Sequence, residues 1–285
     1  MSDISLLSIV RGRREHLHNL LRGVAQQTRS PKEVVLVFMN EEIPDHLPDP
    51  GCKIYMHSVT SPEHALPLAA ARNHAASQAS GSILAYLDVD CIPAPDYLDV
   101  LGKAVRKTRA LVMGDVRYLE EGAAAGSWTA EQLESVALPH PRRPNFPDGR
   151  DLIPLPYHLF WSLSFGIYAE DFARLGGFDT GYEGYGGEDT DFSFTARLTR
   201  LPLFACRARS FHQFHPSYSP PYNHLEDIVA NAVRFHDKWQ VWPMEGWLRD
   251  FDQQGYIKWK SNTIRILKPV EETVLQAARS DSPYG

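Results

Sequence analysis

The sequence predicts an α/β protein with a doubly wound, mostly parallel central sheet flanked by helices, followed by a helical C-terminal extension. Two observations support this prediction. The first half of the chain alternates short apolar runs with amphipathic or Ala-rich stretches, which is the pattern of β-α-β units. The apolar runs are also nearly continuous, as in parallel strands that are buried on both faces.

The predicted elements of the first half follow one another in a regular order. Residues 4–10 form the first strand, and residues 15–27 form a helix whose leucines fall on one face. The remaining strands are predicted at residues 33–38, 54–59, 82–87 and 110–118. The remaining helices are predicted at residues 68–80 and 95–106.

The second half of the chain is less regular. Residues 139–156 are rich in proline and are predicted as a surface connection without regular structure, with a mobile flap as the alternative. Residues 203–206 are predicted as an edge strand, and the chain from residue 225 onward as helical. Its tryptophans Trp239, Trp242 and Trp247 are predicted to pack onto the preceding domain rather than to stack on a ligand.

Composition narrows the class of protein. A chain of 285 residues can form one large α/β domain with additions. A net charge of -6 and a pI of about 6.0 argue against nucleic-acid binding. Three scattered cysteines without a CxxC pair indicate reduced thiols and a cytoplasmic location. No apolar run reaches the length of a transmembrane helix, which leaves only peripheral association with a membrane open.

One acidic motif follows a predicted strand directly. Asp88 and Asp90 stand just after residues 82–87, and because side chains alternate along a strand they are predicted to face the same way. Two neighbouring carboxylates repel each other unless a cation or a donor group lies between them. Divalent cations with oxygen ligands also bridge phosphates, so the motif indicates a metal and a phosphorylated ligand.

A second acidic motif follows a run of glycines. Gly184, Gly186 and Gly187 permit unusual backbone conformations and a close approach to a ligand. A helix is predicted to begin directly after them, and Asp191 is assigned to capping it. Capping does not need two further acids, so Glu188 and Asp189 are candidate functional residues.

These motifs resemble those of nucleotide-sugar glycosyltransferases with the GT-A fold. The Asp-Val-Asp-Cys-Ile-Pro of residues 88–93 looks like their Asp-x-Asp segment. Residues 184–191 resemble the Gly-Trp-Gly-Gly-Glu-Asp-Asp-Asp of the beta-1,4-galactosyltransferases, and residues 11–17 are similar to their Arg-x-Arg-x-Glu-His-Leu. Gly176-Gly177-Phe178 looks like their Asn-Gly-Phe, and Ala71-Arg72-Asn73 is shared with bacterial family 2 glycosyltransferases. The matches keep their order from residue 4 to about residue 215.

The resemblance implies a domain division and an activity. Residues 1–216 would form a GT-A catalytic domain, with a nucleotide-binding half at 1–118 and an acceptor or catalytic half at 119–216. Residues 217–285 would form a helical extension packed on it. The implied reaction is inverting, metal-dependent transfer from a UDP-sugar to a hydroxyl of a glycan, glycolipid or small molecule.

Two other classes stay open. A nucleotidyltransferase acting on a sugar phosphate would also use nucleotide, carboxylates and metal. It would normally carry a Gly-rich basic loop near the N-terminus, which residues 11–14 match poorly. A nucleotide-sugar-binding protein without activity is the third class, and the intact carboxylates of both acidic motifs argue against it.

The resemblance also implies a metal site for Mn²⁺ or Mg²⁺. Asp90 would be the direct ligand, and Asp88 would bind the ribose or support the metal through water. His212 stands where the galactosyltransferases have a metal-binding histidine, with His215 as the alternative. Arg209 replaces the methionine ligand that precedes this histidine by three residues, so the coordination shell cannot be identical.

Catalysis and donor binding are assigned on the same basis. Asp189 would be the general base that takes the proton of the acceptor hydroxyl, and Glu188 would orient the acceptor or the donor sugar. Tyr185 replaces the tryptophan that covers the acceptor in the family, so the acceptor cannot be carried over. The residues assigned to binding of the nucleotide sugar are Arg11, Arg13, Arg72, Asp88 and Gly187.

Within this set, the arginines have separate implied roles. Arg11 and Arg13 would contact the nucleotide, because the guanidinium fork suits phosphate oxygens. Arg72 would either hold the diphosphate or fix Asp88.

Overall fold

The computed structural model describes residues 2–61, 65–143, 145–147 and 149–284. The strands are β1 Ile4–Val10, β2 Glu33–Met39, β3 Lys53–Val59, β4 Ile83–Leu87, β5 Cys91–Pro93, β6 Leu111–Tyr118, β7 Leu138–Pro139, β8 Leu152–Pro154, β9 Ser164–Tyr168, β10 Leu203–His212, β11 Ser217–Tyr218, β12 Ile257–Lys260, β13 Thr263–Ile266 and β14 Arg279–Ser280. The helices are α1 Arg14–Ala25, α2 Leu68–Gln78, α3 Tyr97–Thr108, α4 Ala130–Val136, α5 Ala169–Leu175, α6 Glu188–Leu198, α7 Leu225–Trp239, α8 Glu245–Gln253 and α9 Glu272–Ala278.

A ten-stranded sheet forms the centre of the molecule. Its main path is β3-β2-β1-β4-β9-β6-β10-β5, with β7 added to β6 and β8 added to β10. Strands β1 to β4 are parallel to one another, and β6 is parallel to β10. Strand β9 runs antiparallel between β4 and β6, and the short strands β5, β7 and β8 are also antiparallel to their partners. The predicted α/β fold with a mostly parallel sheet and flanking helices is confirmed, with some antiparallel strands.

Helices cover both faces of this sheet. On one face, α1 and α3 pack against the side of β1 that carries Leu6. Leu21 of α1 and Leu101 of α3 belong to the same apolar cluster as Leu6. On the other face, α2, α5 and α6 pack against the opposite side, for example Phe172 and Phe192. All seven residues of β1 and of β2 are buried, which explains why their sequences are apolar without alternation.

The prediction of an edge strand at residues 203–206 is wrong. Strand β10 has ten residues and pairs with β6 on one side and with β8 and β5 on the other. The arginines in its sequence interrupt the apolar pattern, so the full length of the strand was not predicted. A register shift between Ala205 and Arg209 allows the pairing with β6 to continue. As a result, His212 lies directly opposite Cys91, next to the turn that holds Asp90.

The proline-rich connection is anchored to the sheet. Its ends form the short strands β7 and β8, which the prediction of no regular structure missed. In the segment between these two strands, the carbonyl oxygens of Pro147 and Arg150 accept hydrogen bonds from Arg207 of β10 at 3.3 Å and 3.2 Å. Residues 144 and 148 of this connection lie outside the described residues.

The C-terminal extension contains α7, α8 and α9, as predicted, together with a hairpin of β12 and β13 that was not predicted. It has an apolar cluster of its own that includes Ile228, Leu248 and Phe251. It meets the first domain where Phe235 of α7 packs edge-on against Phe194 of α6 at 5.3 Å between ring centroids. The boundary near residue 216 stays a prediction. None of the helices in the described ranges is long and apolar enough to cross a membrane.

Candidate functional site

The turn after β4 carries the first pair of carboxylates. Strand β4 ends at Leu87, and the N–H of Cys91 closes the turn by donating to the carbonyl oxygen of Asp88 at 2.9 Å. Because the strand ends before Asp88, the alternation argument does not apply, and the two carboxylates have different partners. Asp90 is buried and meets histidines, whereas Asp88 is partly exposed and faces an arginine.

Two histidines and an arginine surround Asp90. The Nε2 atoms of His212 and His215 each lie 3.6 Å from one of its carboxylate oxygens, and Arg13 forms an ion pair with it. One ligand atom each of Asp90, His212 and His215 can be chosen so that all three lie within 4.8 Å of one another. The structure therefore brings the predicted histidine and its alternative to the same carboxylate.

The protonation states of this cluster suit a metal ion. Burial alone would raise the pKa of Asp90, but His212, Arg13 and His215 outweigh it and lower the pKa to about 2. Burial lowers the pKa of His212 to about 4. Near neutral pH the carboxylate is therefore charged and the imidazole is neutral, which are the forms that bind metals.

A further observation points to the same conclusion. The Nδ1 atom of His212 is buried and has no hydrogen-bond partner among the described residues. Imidazole nitrogens and a carboxylate oxygen are groups that divalent first-row metal ions accept as ligands. The residues present therefore fit a divalent metal ion. Within the described ranges, the cluster does not include Asp88.

Arg72 links the turn after β4 to the glycine motif. This side chain of α2 is only 4% exposed. Its guanidinium lies 3.6 Å from a carboxylate oxygen of Asp88 and donates to Glu188 at 3.0 Å. Burial alone would lower the pKa of Arg72, but the carboxylates of Asp88 and Glu188 outweigh it and raise the pKa. Two acidic motifs one hundred residues apart thus share one buried, permanently charged partner.

The glycine run sets the position of the second motif. Gly186 and Gly187 have φ values of 93° and 92°, in the region that glycine adopts most readily. A Cβ on Gly186 would lie 2.7 Å from the sulfur of Met244, so the Met244 side chain would have to move to make room for it. Helix α6 begins directly after this turn, which places Glu188 and Asp189 in its first turn.

The two acids of that turn differ chemically. Glu188 is buried and paired with Arg72. Asp189 accepts a hydrogen bond of 2.6 Å from the backbone N–H of Thr190, and burial together with the Glu188 carboxylate raises the pKa of Asp189 to about 7. A carboxylate that exchanges its proton near neutral pH suits general-base chemistry, whereas a carboxylate held by an arginine suits positioning.

The basic residues after β1 lie at the same edge of the sheet. Gly12 has a φ of 61°, and its N–H donates to Glu41 at 2.7 Å. Arg11 is exposed in this turn, and Arg13 reaches Asp90. Arg13 therefore lies with the candidate metal ligands.

The sequence analysis gave His215 only as an alternative to His212 and did not predict that both histidines lie beside Asp90. Arg209, which replaces the family's methionine, pairs with Asp115 at 3.0 Å and with Glu134 at 2.5 Å instead of joining the cluster. His215 stands beside Asp90 in its place. The His-x-x-His spacing of His212 and His215 was the signal for this arrangement.

The assignment of Asp191 to helix capping is wrong. Its side chain is 1% exposed and accepts hydrogen bonds from Tyr182 at 3.1 Å and from the Trp239 indole at 2.7 Å. Lys238 pairs with the same carboxylate at 2.8 Å. Asp191 therefore fastens α7 of the extension to α6, a long-range role that local sequence patterns do not indicate.

We expect Asp191→Asn to lower the free energy of unfolding by about 1–3 kcal/mol, because the amide keeps only one acceptor oxygen and leaves some of the three donors without a partner. Urea unfolding followed by circular dichroism measures this change. The matched control is Asp237→Asn, an exposed carboxylate on α7, which should change stability by less than about 0.5 kcal/mol. Equal stability of the two variants would contradict the anchoring role.

Three tryptophans of the extension lie in different environments. Trp239 packs against Phe194 at 5.4 Å, as predicted, and binds Asp191. Trp242 donates to the carbonyl oxygen of Ser261 inside the extension. Trp247 lies 5.9 Å from the ring of Tyr185 in the glycine run, which is 37% exposed. The extension therefore touches the site at Tyr185.

Comparison with known proteins identifies two family models along the chain. The model of glycosyl transferase family 2 matches residues 5–173, and a model described as the N-terminal domain of galactosyltransferase matches residues 152–216. These matches confirm the resemblance drawn from the motifs, and the residues that they share, 152–173, include strand β9 between β4 and β6.

Two curated relatives are validoxylamine A glucosyltransferases of Streptomyces hygroscopicus. The protein of subspecies limoneus is 26% identical over 260 residues, and that of subspecies jinggangensis is 25% identical. Both alignments cover 82% of this chain, but only 57% and 61% of the relatives. The chain thus spans less than two thirds of the length of these proteins.

Solved structures with the same fold include GalNAc-T7 and S. aureus TarS. GalNAc-T7, crystallised with UDP, GalNAc and Mn²⁺, gives a TM-score of 0.56 at 16% identity over 88% of this chain and 56% of that chain. Residues 1–349 of S. aureus TarS, in complex with UDP, give a TM-score of 0.52 at 15% identity over 83% of this chain and 66% of that chain. At these identities the likeness shows the fold.

Proposed function

The chain is a glycosyltransferase that belongs to glycosyl transferase family 2, and we propose that it is an inverting, metal-dependent enzyme that moves a sugar from a UDP-sugar to an acceptor hydroxyl. One observation carries the proposal. Arg72 contacts Asp88 of the first acidic motif and Glu188 of the second, so the donor-binding and acid–base motifs form one site. This arrangement suits a reaction that needs a bound diphosphate and a proton acceptor together.

In this proposal Asp90, His212 and His215 hold Mn²⁺. A bound divalent ion acts as a Lewis acid that neutralises the charge of the departing diphosphate. The donor set of one carboxylate and two imidazoles supports this, and so does the structural neighbour crystallised with UDP and Mn²⁺. Arg13, now paired with Asp90, lies within reach of the same phosphates and would add a guanidinium to their binding.

The protein's own carboxylates carry out the proton transfer. Asp189 accepts the proton of the acceptor hydroxyl as the oxygen attacks the anomeric carbon. Glu188, held by Arg72, orients the acceptor or the donor sugar. If the attack comes from the face opposite the diphosphate, the anomeric configuration inverts. The free thiols of Cys52, Cys91 and Cys206 accord with action in the cytoplasm.

We expect UDP to stabilise the protein against heat more than GDP does at equal concentration in the presence of Mn²⁺. A ligand at 100 times its Kd adds about 2.7 kcal/mol, which corresponds to a rise in Tm on the order of 5 °C. Differential scanning fluorimetry with and without Mn²⁺ measures the shift. UDP-glucose is the first complete donor to assay, because both curated relatives are named glucosyltransferases.

The control is the same titration in EDTA, in which the UDP-dependent shift should disappear. A larger shift with GDP than with UDP would overturn the UDP assignment, and release of UDP from UDP-glucose without any glycosylated product would leave only hydrolysis. The nucleotidyltransferase alternative predicts instead that pyrophosphate is released from UTP in the presence of a sugar phosphate.

A further inference from the structure

The hairpin of β12 and β13 has two chemically distinct faces. Its inner residues, including Ile257 and Trp259, pack into the apolar cluster of the extension. Its outer face carries exposed cationic side chains of Lys258, Lys260 and Arg265. Lys258 lies directly opposite Arg265 in the antiparallel register, so two like charges are cross-strand neighbours.

This charge arrangement does not help the hairpin to fold. Like charges directly opposite each other destabilise an antiparallel pair. Among the described residues, none of these three cations has a carboxylate within 4.0 Å, whereas the nearby Lys268 pairs with Glu271 at 3.5 Å. The chain as a whole carries a net charge of -6, so the patch is opposite in sign to the rest of the protein. Such a feature indicates an anionic partner.

An apolar side chain lies next to the cations. Leu267 stands two residues after Arg265, on the same face by strand alternation, and is 48% exposed. Ile266, which lies opposite Ile257, belongs to the inner face. The outer face also borders a shallow cavity of about 380 Å³ lined by Lys258, Lys260, Thr263, Ile264 and Arg265. A soluble polyanion would need only the cations. Basic residues combined with exposed aliphatic ones are typical of surfaces that lie in the headgroup region of a membrane.

We propose that this hairpin docks the protein on a membrane surface that contains anionic phospholipids. Lys258, Lys260 and Arg265 contact the phosphates of the headgroups, and Leu267 enters the boundary of the acyl region. The inference is independent of the catalytic assignment. A lipid-linked acceptor would follow only if the proposed function also holds, and the binding experiment below involves no turnover, so the two proposals can fail separately.

The experiment is co-sedimentation of the full chain with large vesicles of phosphatidylcholine alone, or with about one third phosphatidylglycerol. We expect binding only to the anionic vesicles and its loss at high salt, because salt screens exposed charges. Changing Lys258→Gln, Lys260→Gln and Arg265→Gln together should weaken vesicle binding on the order of 100-fold, since each basic residue contributes about a factor of five. Far-UV circular dichroism and UDP binding should not change.

A matched control removes three other exposed cations. Lys53→Gln, Lys107→Gln and Arg200→Gln change the net charge equally, and we expect this variant to keep vesicle binding. A second variant, Leu267→Ser, should weaken vesicle binding but not binding of soluble polyphosphate. Three results overturn the proposal: no binding of the unmodified protein to anionic vesicles, equal loss in the control, or binding to polyphosphate without binding to vesicles.

Discussion

We expect Asp189→Asn to lower kcat by about 10²–10⁴-fold, the usual contribution of acid–base catalysis, while affinity for UDP stays nearly unchanged. Asparagine keeps the size of the side chain and its hydrogen bond from Thr190 but cannot take up a proton. A base contributes only as the proton leaves the acceptor, so its loss appears in the transition state. Initial rates of UDP release and calorimetric titration with UDP separate the two quantities.

The pH dependence of the unmodified enzyme provides a second readout. Burial and the Glu188 carboxylate raise the pKa of Asp189 to about 7. A base must be unprotonated, so kcat should rise with pH and reach a plateau above about 7. This acidic limb should vanish in the residual activity of Asp189→Asn.

Glu188→Gln is the comparison within the same helical turn. It weakens the contact with Arg72, so the acceptor KM should rise together with a fall in kcat. If Asp189→Asn retains full activity and Glu188→Gln alone is inactive, the roles of the two acids are reversed.

Local patterns were sufficient for the first half of the fold. Strands β1, β2 and β4 are buried on both faces, and their continuous apolar runs reflect this directly. The predicted ends of these strands then indicated the edge of the sheet at which Arg13 and Asp90 lie. Sequence alone could place these residues because the carboxyl ends of parallel strands meet at one edge.

The features that prediction missed depend on contacts between distant parts of the chain. Strand β10 carries Arg209, which is neutralised by Asp115 of β6 and Glu134 of α4. Asp191 looks like an N-terminal helix acid, but its partners are forty-seven and forty-eight residues away in α7. Pairings of this kind leave no local periodicity that a sequence pattern could detect.

The candidate metal site was predicted only in part, because one of its residues follows from a local motif and the others depend on long-range contacts. Asp90 follows from its strand-end motif, whereas the joint presence of His212 and His215 depends on the path of the chain after β10. The backbone N–H of Gln213 donates to the carbonyl oxygen of Asp90 at 2.7 Å, which draws the His-x-x-His segment against the turn. The resemblance to the galactosyltransferases predicted His212, and the structure adds His215 beside the same carboxylate.

We expect Asp90→Ala to abolish the dependence of UDP binding on Mn²⁺, weakening UDP affinity in the presence of Mn²⁺ on the order of 100-fold or more. The carboxylate is the charged member of the cluster, and two neutral imidazoles alone hold a divalent ion weakly. Without Mn²⁺, UDP affinity should not fall, because the variant releases Arg13 from its ion pair and leaves its guanidinium available to phosphate. Calorimetry with UDP in Mn²⁺ and in EDTA measures both values.

Two histidine variants show whether the cluster acts as a unit. His212→Ala and His215→Ala should each weaken Mn²⁺ binding, because each removes one nitrogen near the carboxylate of Asp90. His46→Ala changes an exposed histidine outside the cluster and should have no effect. Electron paramagnetic resonance of free Mn²⁺ reports binding directly, without nucleotide or turnover. Undiminished UDP affinity of Asp90→Ala in Mn²⁺, in a variant that remains folded, would remove this carboxylate from the proposed metal site.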